Sequence, residues 1–215
     1  YAHRNAVGWT WADPYRVDRI NEVLSSGKKF NTDDMMKLQH DYLSIPARTL
    51  VPLLQDLKSS DEKTESARQL LLKWNFVMDR SSVEAGIYAA WEKKMTEEVL
   101  PLFVPENAKD MVKYIPLTRV VEWISKPRKE FGADATAGRN QFLLSTLQHA
   151  VDYLSIKLGN EISTWQYGQI NYHHALIKHQ LGNAVDEVMR KKLEVGPLPR
   201  GGNGSTPGMT TNADN

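Results

Sequence analysis

Trp11-Ala12-Asp13-Pro14-Tyr15-Arg16-Val17-Asp18-Arg19-Ile20 is the stretch of sequence on which the fold of this chain depends. Asp13 and Pro14 together predict the start of a helix. The Asp carboxylate can accept hydrogen bonds from the free amides of a first helical turn, and proline lacks the N–H that would be left unpaired there. We therefore expect a helix that begins at Asp13-Pro14, with Asp13 as its cap.

Arg16 lies at the edge of the apolar face of this predicted helix. That face is formed by residues at helical spacing, namely Val17, Ile20, Val23 and Leu24. An arginine at such an edge can reach sideways, and its planar guanidinium suits carboxylate or carbonyl oxygens. Spacing alone leaves two interpretations open. Arg16 is either a ligand-binding residue or a rim arginine paired with a nearby acid such as Asp13.

Helical spacing of apolar residues continues through most of the chain. Ser25-Ser26-Gly27 ends the first helix, because glycine readily adopts the conformation that closes helices. Two further helices are predicted to begin at Asn31 or Thr32 and at Pro46. Later helices are predicted from Glu65 to Met78, from Ser81 or Ser82 through Val99, from Leu117 to Ile124, from Arg139 to Leu158 and from Asn183 to Leu193. We expect Pro101, Pro105 and Pro116 to break the chain into short pieces, and Lys126 to Gly138 to form a loop. No strand is predicted in this part.

Composition excludes several classes of function. The 215 residues are 41% hydrophobic and include six Trp, which is enough for a folded core. The 27 basic and 26 acidic residues are interspersed, so no basic surface for nucleic acid is predicted. No apolar run reaches the roughly 20 residues of a membrane span. The absence of cysteine excludes disulfides and thiolate chemistry. Because residue 1 is Tyr and no helix or strand follows the final glycine-rich turn, we expect a piece of a longer protein.

The residue types that often carry catalysis do not form a complete site. Asp33 and Asp34 are adjacent on a predicted helix and diverge by about 100°, so they cannot converge on one substrate. His173, His174 and His179 lack the spacing of a zinc-binding helix and are interpreted as structural or surface residues. Ser205 lacks the glycine frame of a nucleophile elbow. The glycine-rich stretch 199–207 lacks the lysine and the following helix of a phosphate loop.

Several segments, in order, resemble the penicillin acylase (penicillin amidase) family. They are Gly8-Trp9-Thr10-Trp11-Ala12-Asp13-Pro14-Tyr15-Arg16-Val17-Asp18-Arg19-Ile20, Phe30 to Met36, Leu38-Gln39-His40-Asp41, Ala47 to Pro52, Trp165-Gln166-Tyr167-Gly168 and Pro199-Arg200-Gly201-Gly202. With gaps, the resemblance covers nearly all 215 residues. It identifies the chain as similar to a part of the family's β-chain.

The resemblance implies an N-terminal nucleophile hydrolase made as a zymogen. In such enzymes a serine freed by autocatalytic cleavage attacks an amide, its α-amino group acts as base, and backbone amides with an asparagine stabilise the oxyanion. This sequence begins with Tyr1, and Asn5 lies too close to Arg16 to match the asparagine. We expect the serine and the asparagine upstream, so no catalytic residue is assigned here and the fragment alone is expected to be inactive. Only Arg16 is carried over, because it matches the family arginine that supports the acyl-binding side of the site.

The resemblance also implies a fold class, mainly α. It predicts a multi-helix excursion, residues 1–196, from a whole enzyme that is an α+β protein built as an αββα sandwich. Residues 197–215 are then the glycine- and proline-rich turn that returns to the core sheet, and Met209 to Thr211 would begin a strand. Asn203-Gly204 predicts a hairpin turn there. Relatives hold calcium through acidic residues ahead of the Arg16 helix. No such set is present, so no metal and no other cofactor is predicted in this fragment.

Partners and location follow from the resemblance alone. The implied partners are the remainder of the acylase β-chain, the α-chain, and a small acyl-amide substrate such as a β-lactam side chain or an acyl-homoserine lactone. Neither a nucleic-acid partner nor a membrane span is predicted. The family suggests export, to the periplasm or the medium. The alternative function is a non-catalytic helical protein-interaction module, for which a regular repeat of about 34 to 40 residues is expected. The predicted helices vary in length and show no such repeat.

Overall fold

The computed structural model describes residues 12–112 and 114–209 of the chain, and within them the fold is mainly α-helical. The helices are α1 (Tyr15–Leu24), α2 (Thr32–Gln39), α3 (Ile45–Leu50), α4 (Glu62–Lys73), α5 (Val83–Phe103), α6 (Leu117–Ser125), α7 (Ala135–Leu158) and α8 (Glu187–Leu193). Two strands, β1 (His174–Ile177) and β2 (Val195–Pro199), form one small antiparallel sheet. None of the helices in the described residues has the length and apolar character needed to cross a membrane.

The core lies where the two long helices, α5 and α7, pack side by side. Trp91 of α5 is fully buried, and its indole N–H donates to the Leu143 carbonyl (3.2 Å) and the Thr146 hydroxyl (3.1 Å) of α7. A buried tryptophan gives a large hydrophobic gain only if its N–H finds an acceptor, and both are provided here. Helix α4 packs against α5 and α7, and α3 packs against α6.

Side-chain caps set most of the helix starts, and several agree with the sequence. Asn31 caps α2 in a capping box with Asp34, and Ser82 caps α5 by accepting from the Ala85 amide. Helix α7 begins at Ala135, earlier than the predicted Arg139. The reason is Asp134, whose carboxylate accepts from the amides of the two residues at positions 136 and 137. The loop predicted from Lys126 to Gly138 is shorter for the same reason.

The helix predicted from Glu65 to Met78 is wrong at both ends. Helix α4 starts three residues earlier, because Asp61 caps it, and it ends at Lys73. The chain then extends, and Val77 pairs with Leu43 as an isolated antiparallel bridge. The spacing of Met35, Leu38, Tyr42 and Leu43 predicts that the second helix includes Leu43, and this is also wrong, because α2 ends at Gln39. Backbone pairing between segments distant in sequence has overridden the local helical pattern.

Pro101 does not end α5, contrary to the prediction. The helix continues to Phe103 with Pro101 inside its last turn. A proline near a helix end gives up only one internal hydrogen bond, and the Pro101 ring lies on the exposed side of α5. The prediction for Leu117 to Ile124 is confirmed within one residue, and α7 ends at Leu158 as predicted.

The β1–β2 hairpin was not predicted. Its register pairs His174 with Pro199 and Ile177 with Val195. Helix α8 lies between the two strands and begins at Glu187 rather than the predicted residue 183, because Asp186 caps it. Strand β2 crosses the predicted boundary at residue 196, and that division of the chain stays a prediction. The strand expected at Met209 to Thr211 falls largely outside the described residues, as does the motif up to Trp11.

Two of the segments that carry the family resemblance, 165–168 and 199–202, pack against each other, and the first also packs against α5. The Tyr167 hydroxyl donates to the Gly202 carbonyl (3.0 Å), and the Tyr167 amide donates to the Ser82 carbonyl (3.0 Å) at the start of α5. Next to them, Trp165 is fully buried against Gly86. A Cβ atom at Gly86 would lie 2.0 Å from the Trp165 carbonyl oxygen. The backbone of the segment 165–168 therefore contacts α5 at a position where only glycine fits.

We expect Gly86→Ala to destabilise the protein by about 1 to 3 kcal/mol or more, because the new methyl group collides with backbone rather than with a movable side chain. In an unobstructed helix the same change would stabilise the fold by roughly 0.5 to 1 kcal/mol. Gly204→Ala is the control, since nothing lies within 4 Å of a Cβ there. Urea unfolding of both variants checks the prediction. Equal stability of the two would contradict it.

Candidate functional site

Asp13 caps a helix, but not the one predicted. Helix α1 starts at Tyr15 with Pro14 as its N-cap residue, and no side chain caps it. The Asp13 carboxylate instead accepts from the Leu117 amide (3.0 Å) and from the Thr118 amide (2.9 Å) and hydroxyl (2.6 Å). These groups belong to the first turn of α6. Asp13 therefore fastens the start of α1 to the start of α6, more than 100 positions away.

Helix α1 is held in place by two ion pairs on its far side. Arg19 donates to Asp41 at 3.0 and 2.7 Å, and Arg48 of α3 donates to both carboxylate oxygens of Glu22 at 2.9 Å. Two-point contacts of this kind fix orientation as well as distance. Arg19 is thus a structural residue that joins α1 to the segment after α2.

Arg16 is the arginine of α1 that has no such partner. Its guanidinium lies 3.5 Å from the Pro207 carbonyl oxygen, and within residues 12–112 and 114–209 no carboxylate forms an ion pair with it. The alternative in which Arg16 pairs with Asp13 is not what the structure shows. The predicted apolar face is also only partly buried, since Val17 is 58% and Leu24 43% exposed, whereas Tyr15 is buried.

Arg16 lines a pocket of about 410 Å³ where α1, α5, the start of α6 and the glycine-rich turn meet. Its walls combine polar groups with an apolar part that includes Ile115 and Leu117. The lining residues that the chemistry uses are Asp13, Arg16, Glu92, Thr96, Tyr114 and Ser205. The volume is within the usual range for a small-molecule site. The structure thus brings Arg16 together with hydroxyl and carboxyl groups that are remote from it in sequence.

The glycine-rich turn forms one wall of the pocket. The Thr206 amide donates to the Asn203 carbonyl (3.1 Å), and the Ser205 amide donates to the Asn203 side chain (3.0 Å). Thr206 is fully buried, and its hydroxyl donates to the Gly208 carbonyl (2.7 Å). Asn203-Gly204 is therefore a turn, as predicted, but no strand pair flanks it in the described residues. The turn positions Ser205 and the Pro207 carbonyl beside Arg16.

Glu92 is a site residue that the sequence analysis missed. It follows the buried Trp91 on α5, and its Oε2 atom accepts from the Tyr88 hydroxyl at 2.6 Å. Burial raises the pKa of Glu92 to about 7, partly offset by the Tyr88 hydrogen bond. Burial also raises the pKa of Tyr15 and of Tyr88, and the nearby Glu92 adds to both shifts. The available signal was a Tyr-x-x-x-Glu pair inside an otherwise apolar helical stretch.

The histidines do not join this pocket. The His173 ring stacks on Tyr167 at 4.4 Å between ring centroids, and burial lowers the His173 pKa. This agrees with the structural interpretation made from its spacing. Within the described part of the chain no three His, Asp or Glu side chains form a group that could hold a metal. Asp33 and Asp34 lie at the start of α2, where Asp34 completes the capping box.

Comparison with known proteins decides the family. The family model described as penicillin amidase matches residues 1–215, the whole sequence. The chain belongs to the penicillin amidase family. A curated relative, the acyl-homoserine lactone acylase QuiP of Pseudomonas aeruginosa, is 21% identical over 92% of this chain. The chain spans 27% of that relative's length.

A solved structure supports the fold of this penicillin amidase family chain. Thermostable penicillin G acylase from Alcaligenes faecalis matches with a TM-score of 0.51 and 19% identity. The match covers 74% of this chain and 34% of that one. At this identity the likeness concerns the fold, and the role of Arg16 stays a prediction.

Glu92 should make stability depend on pH. Its pKa is about 7 in the folded chain and 4.5 ordinarily, so between these values the folded state holds a proton that the unfolded state has lost. Stability should therefore fall as pH rises from about 4.5 to 7 and level off above. Because the Glu92 side chain is only partly buried and is therefore partly screened by solvent, we expect the free energy of unfolding to fall by about 1 to 3 kcal/mol over this pH range.

Glu92→Gln should remove this pH dependence and leave the variant more stable than the unchanged protein at pH 8. Glu97→Gln, an exposed position of the same helix, should keep it. Denaturant unfolding at pH 5, 6, 7 and 8 measures both. If Glu92→Gln shows the same slope as the unchanged protein, Glu92 is not the group responsible.

Asp13→Ala should destabilise the protein by about 1 to 3 kcal/mol, because three donors in the first turn of α6 lose their acceptor. The stability of Asp13→Asn should lie between those of the unchanged protein and Asp13→Ala, since the amide oxygen of Asn can still accept hydrogen bonds. Asp18→Ala, an exposed position on α1, serves as control and should change stability by less than about 0.5 kcal/mol. Thermal unfolding distinguishes the three, and a neutral Asp13→Ala would exclude the cap.

Proposed function

We propose that this chain is part of an amidohydrolase that cleaves an acyl amide, and that it supplies one wall of the substrate-binding cleft. The observation that carries the proposal is the position of Arg16, which has no carboxylate partner in the described residues and lines a pocket that also holds carboxyl and hydroxyl groups. Membership of the penicillin amidase family adds the reaction class. An unpaired guanidinium at a pocket can bind carbonyl or carboxylate oxygens of a ligand.

The catalytic groups of the proposed enzyme lie outside this sequence. A serine released by autocatalytic cleavage attacks the amide carbon, its α-amino group takes the proton, and an upstream asparagine with backbone amides stabilises the oxyanion. The 215-residue chain by itself then has no amidase activity. Its partners are the remainder of the β-chain and the α-chain. The whole enzyme is exported to the periplasm or the medium, and any calcium is held by residues outside this chain.

The substrate class is a small acyl amide, and the relatives suggest two types. One relative is named as an acylase of acyl-homoserine lactones and the other as a penicillin G acylase. Both types have oxygens near the scissile amide that a guanidinium can bind. The alternative, a non-catalytic interaction module, has less support, because the described helices range from 6 to 24 residues and do not repeat as equivalent pairs.

In the full-length enzyme, Arg16→Ala should lower kcat/KM by roughly ten- to a hundredfold, the effect of losing one charged hydrogen-bonding group of about 1.5 to 3 kcal/mol. Arg16→Lys should restore little, because an ammonium lacks the planar fork. Melting temperature should change little in both variants, since Arg16 is exposed.

Arg119→Ala is the matched control for this experiment. Arg119 is an exposed arginine of α6 that pairs with Glu122 three residues along, and its removal should leave kcat/KM within a few-fold. Rates and melting temperatures are measured for all three variants with a chromogenic phenylacetyl or fatty-acyl amide. Normal kinetics in Arg16→Ala would remove the functional assignment, and a lower melting temperature alone would show a structural role.

A further inference from the structure

We propose that Glu92 is a second ligand-binding residue of the Arg16 pocket. The pocket binds the carbonyl or carboxylate oxygens of the substrate, and its affinity for anionic ligands falls when Glu92 ionises. The inference rests on the proposed function for the substrate being an acyl amide. It adds a residue from α5 to the site. It also adds a dependence of anion binding on the charge of Glu92, which Arg16 alone does not give.

The geometry gives Glu92 one free oxygen at the pocket. Oε2 is taken by the Tyr88 hydroxyl, and in the described part of the chain no group hydrogen-bonds to Oε1. Because Glu92 lines the pocket together with Arg16, this oxygen is the one that a ligand bound there can contact. Thr96, one turn further along α5, lines the same pocket. Side chains four positions apart share a helix face, which puts two polar groups on one wall.

The charges facing Glu92 come from several elements. Asp13 lies just before α1, and Tyr15 and Arg16 lie on it. The others are Tyr88 on α5, Tyr114 in the segment before α6, and Tyr167 and Tyr172 in the segments after α7. Burial raises the pKa of each of the buried tyrosines, so they stay neutral at ordinary pH. The charged neighbours are therefore Asp13 and Arg16. Of these, Asp13 is occupied by the first turn of α6.

The protonation state of Glu92 then decides what the pocket binds. A neutral carboxyl leaves the Arg16 charge free for a ligand and can donate its own O–H to a ligand oxygen. An ionised carboxylate accepts only, and it adds a second negative charge beside Asp13. Both changes weaken the binding of a ligand carboxylate, and because they have the same sign they do not cancel. A neutral ligand of the same shape loses far less.

The test uses the full-length enzyme and two probes with one acyl chain, N-octanoylglycine and its methyl ester. Between pH 5.5 and 8.5 we expect the KM of the unchanged enzyme for the free acid to rise on the order of tenfold, the effect of one added like charge in a partly desolvated site. The KM for the ester should rise by less than threefold. Glu92→Gln keeps a donor and cannot ionise, so its KM for the acid should be nearly constant. Glu97→Gln should follow the unchanged enzyme.

Equilibrium binding of the same probes, followed by calorimetry, gives a second measurement that does not need turnover. If no amide is hydrolysed but acid binding still falls with pH in a way that depends on Glu92, the proposed reaction fails and this inference stands. Two results overturn the inference. One is a Glu92→Gln variant that keeps the pH dependence of acid binding. The other is an ester whose binding falls as steeply as that of the acid.

Discussion

The hydrogen bonds from the first turn of α6 to the Asp13 carboxylate are the constraint on which the candidate site depends. They join two helix starts that are remote in sequence, and they fix where α1 enters the fold. With the Arg19–Asp41 pair on the other side, α1 has little freedom to rotate. The direction of Arg16 follows from these contacts. A guanidinium on a long flexible side chain binds selectively only if its backbone is held in this way.

Helix α5 connects this site to the core. Trp91 and Glu92 are consecutive, so their side chains diverge by about 100° around the helix axis. One enters the interface with α7, and the other reaches the pocket. About one and a half turns earlier, Gly86 allows the Trp165 backbone to contact the same helix. A shift of α5 along its axis would therefore disturb the core and the pocket together, which gives the pocket a rigid wall.

Local signals in the sequence predicted the parts of the fold whose partners are close in sequence. Asn31 and Ser82 cap the helices that follow them, and α7 ends at Leu158 as predicted. The errors occur where the partner is distant. Asp13 carries the same signal as any N-cap residue, and nothing nearby shows that its carboxylate serves α6. The same holds for Glu92. Its sequence neighbours do not distinguish it from an ordinary charged residue of a helix, and it is a pocket residue only because α1 and the glycine-rich turn line the same cavity.

A comparison of two acidic residues supports the ligand-binding role proposed for Glu92. Glu65 on α4 accepts from the Arg68 guanidinium at 2.9 and 2.7 Å, and these hydrogen bonds lower its pKa, so its charge is compensated within the fold. Glu92 has a similar side chain, but its described partner is the neutral Tyr88, and burial raises its pKa instead. A group whose ionisation opposes folding near neutral pH weakens the protein unless it contributes something else. Because Glu92 lines the pocket beside Arg16, ligand binding is the contribution that its position allows.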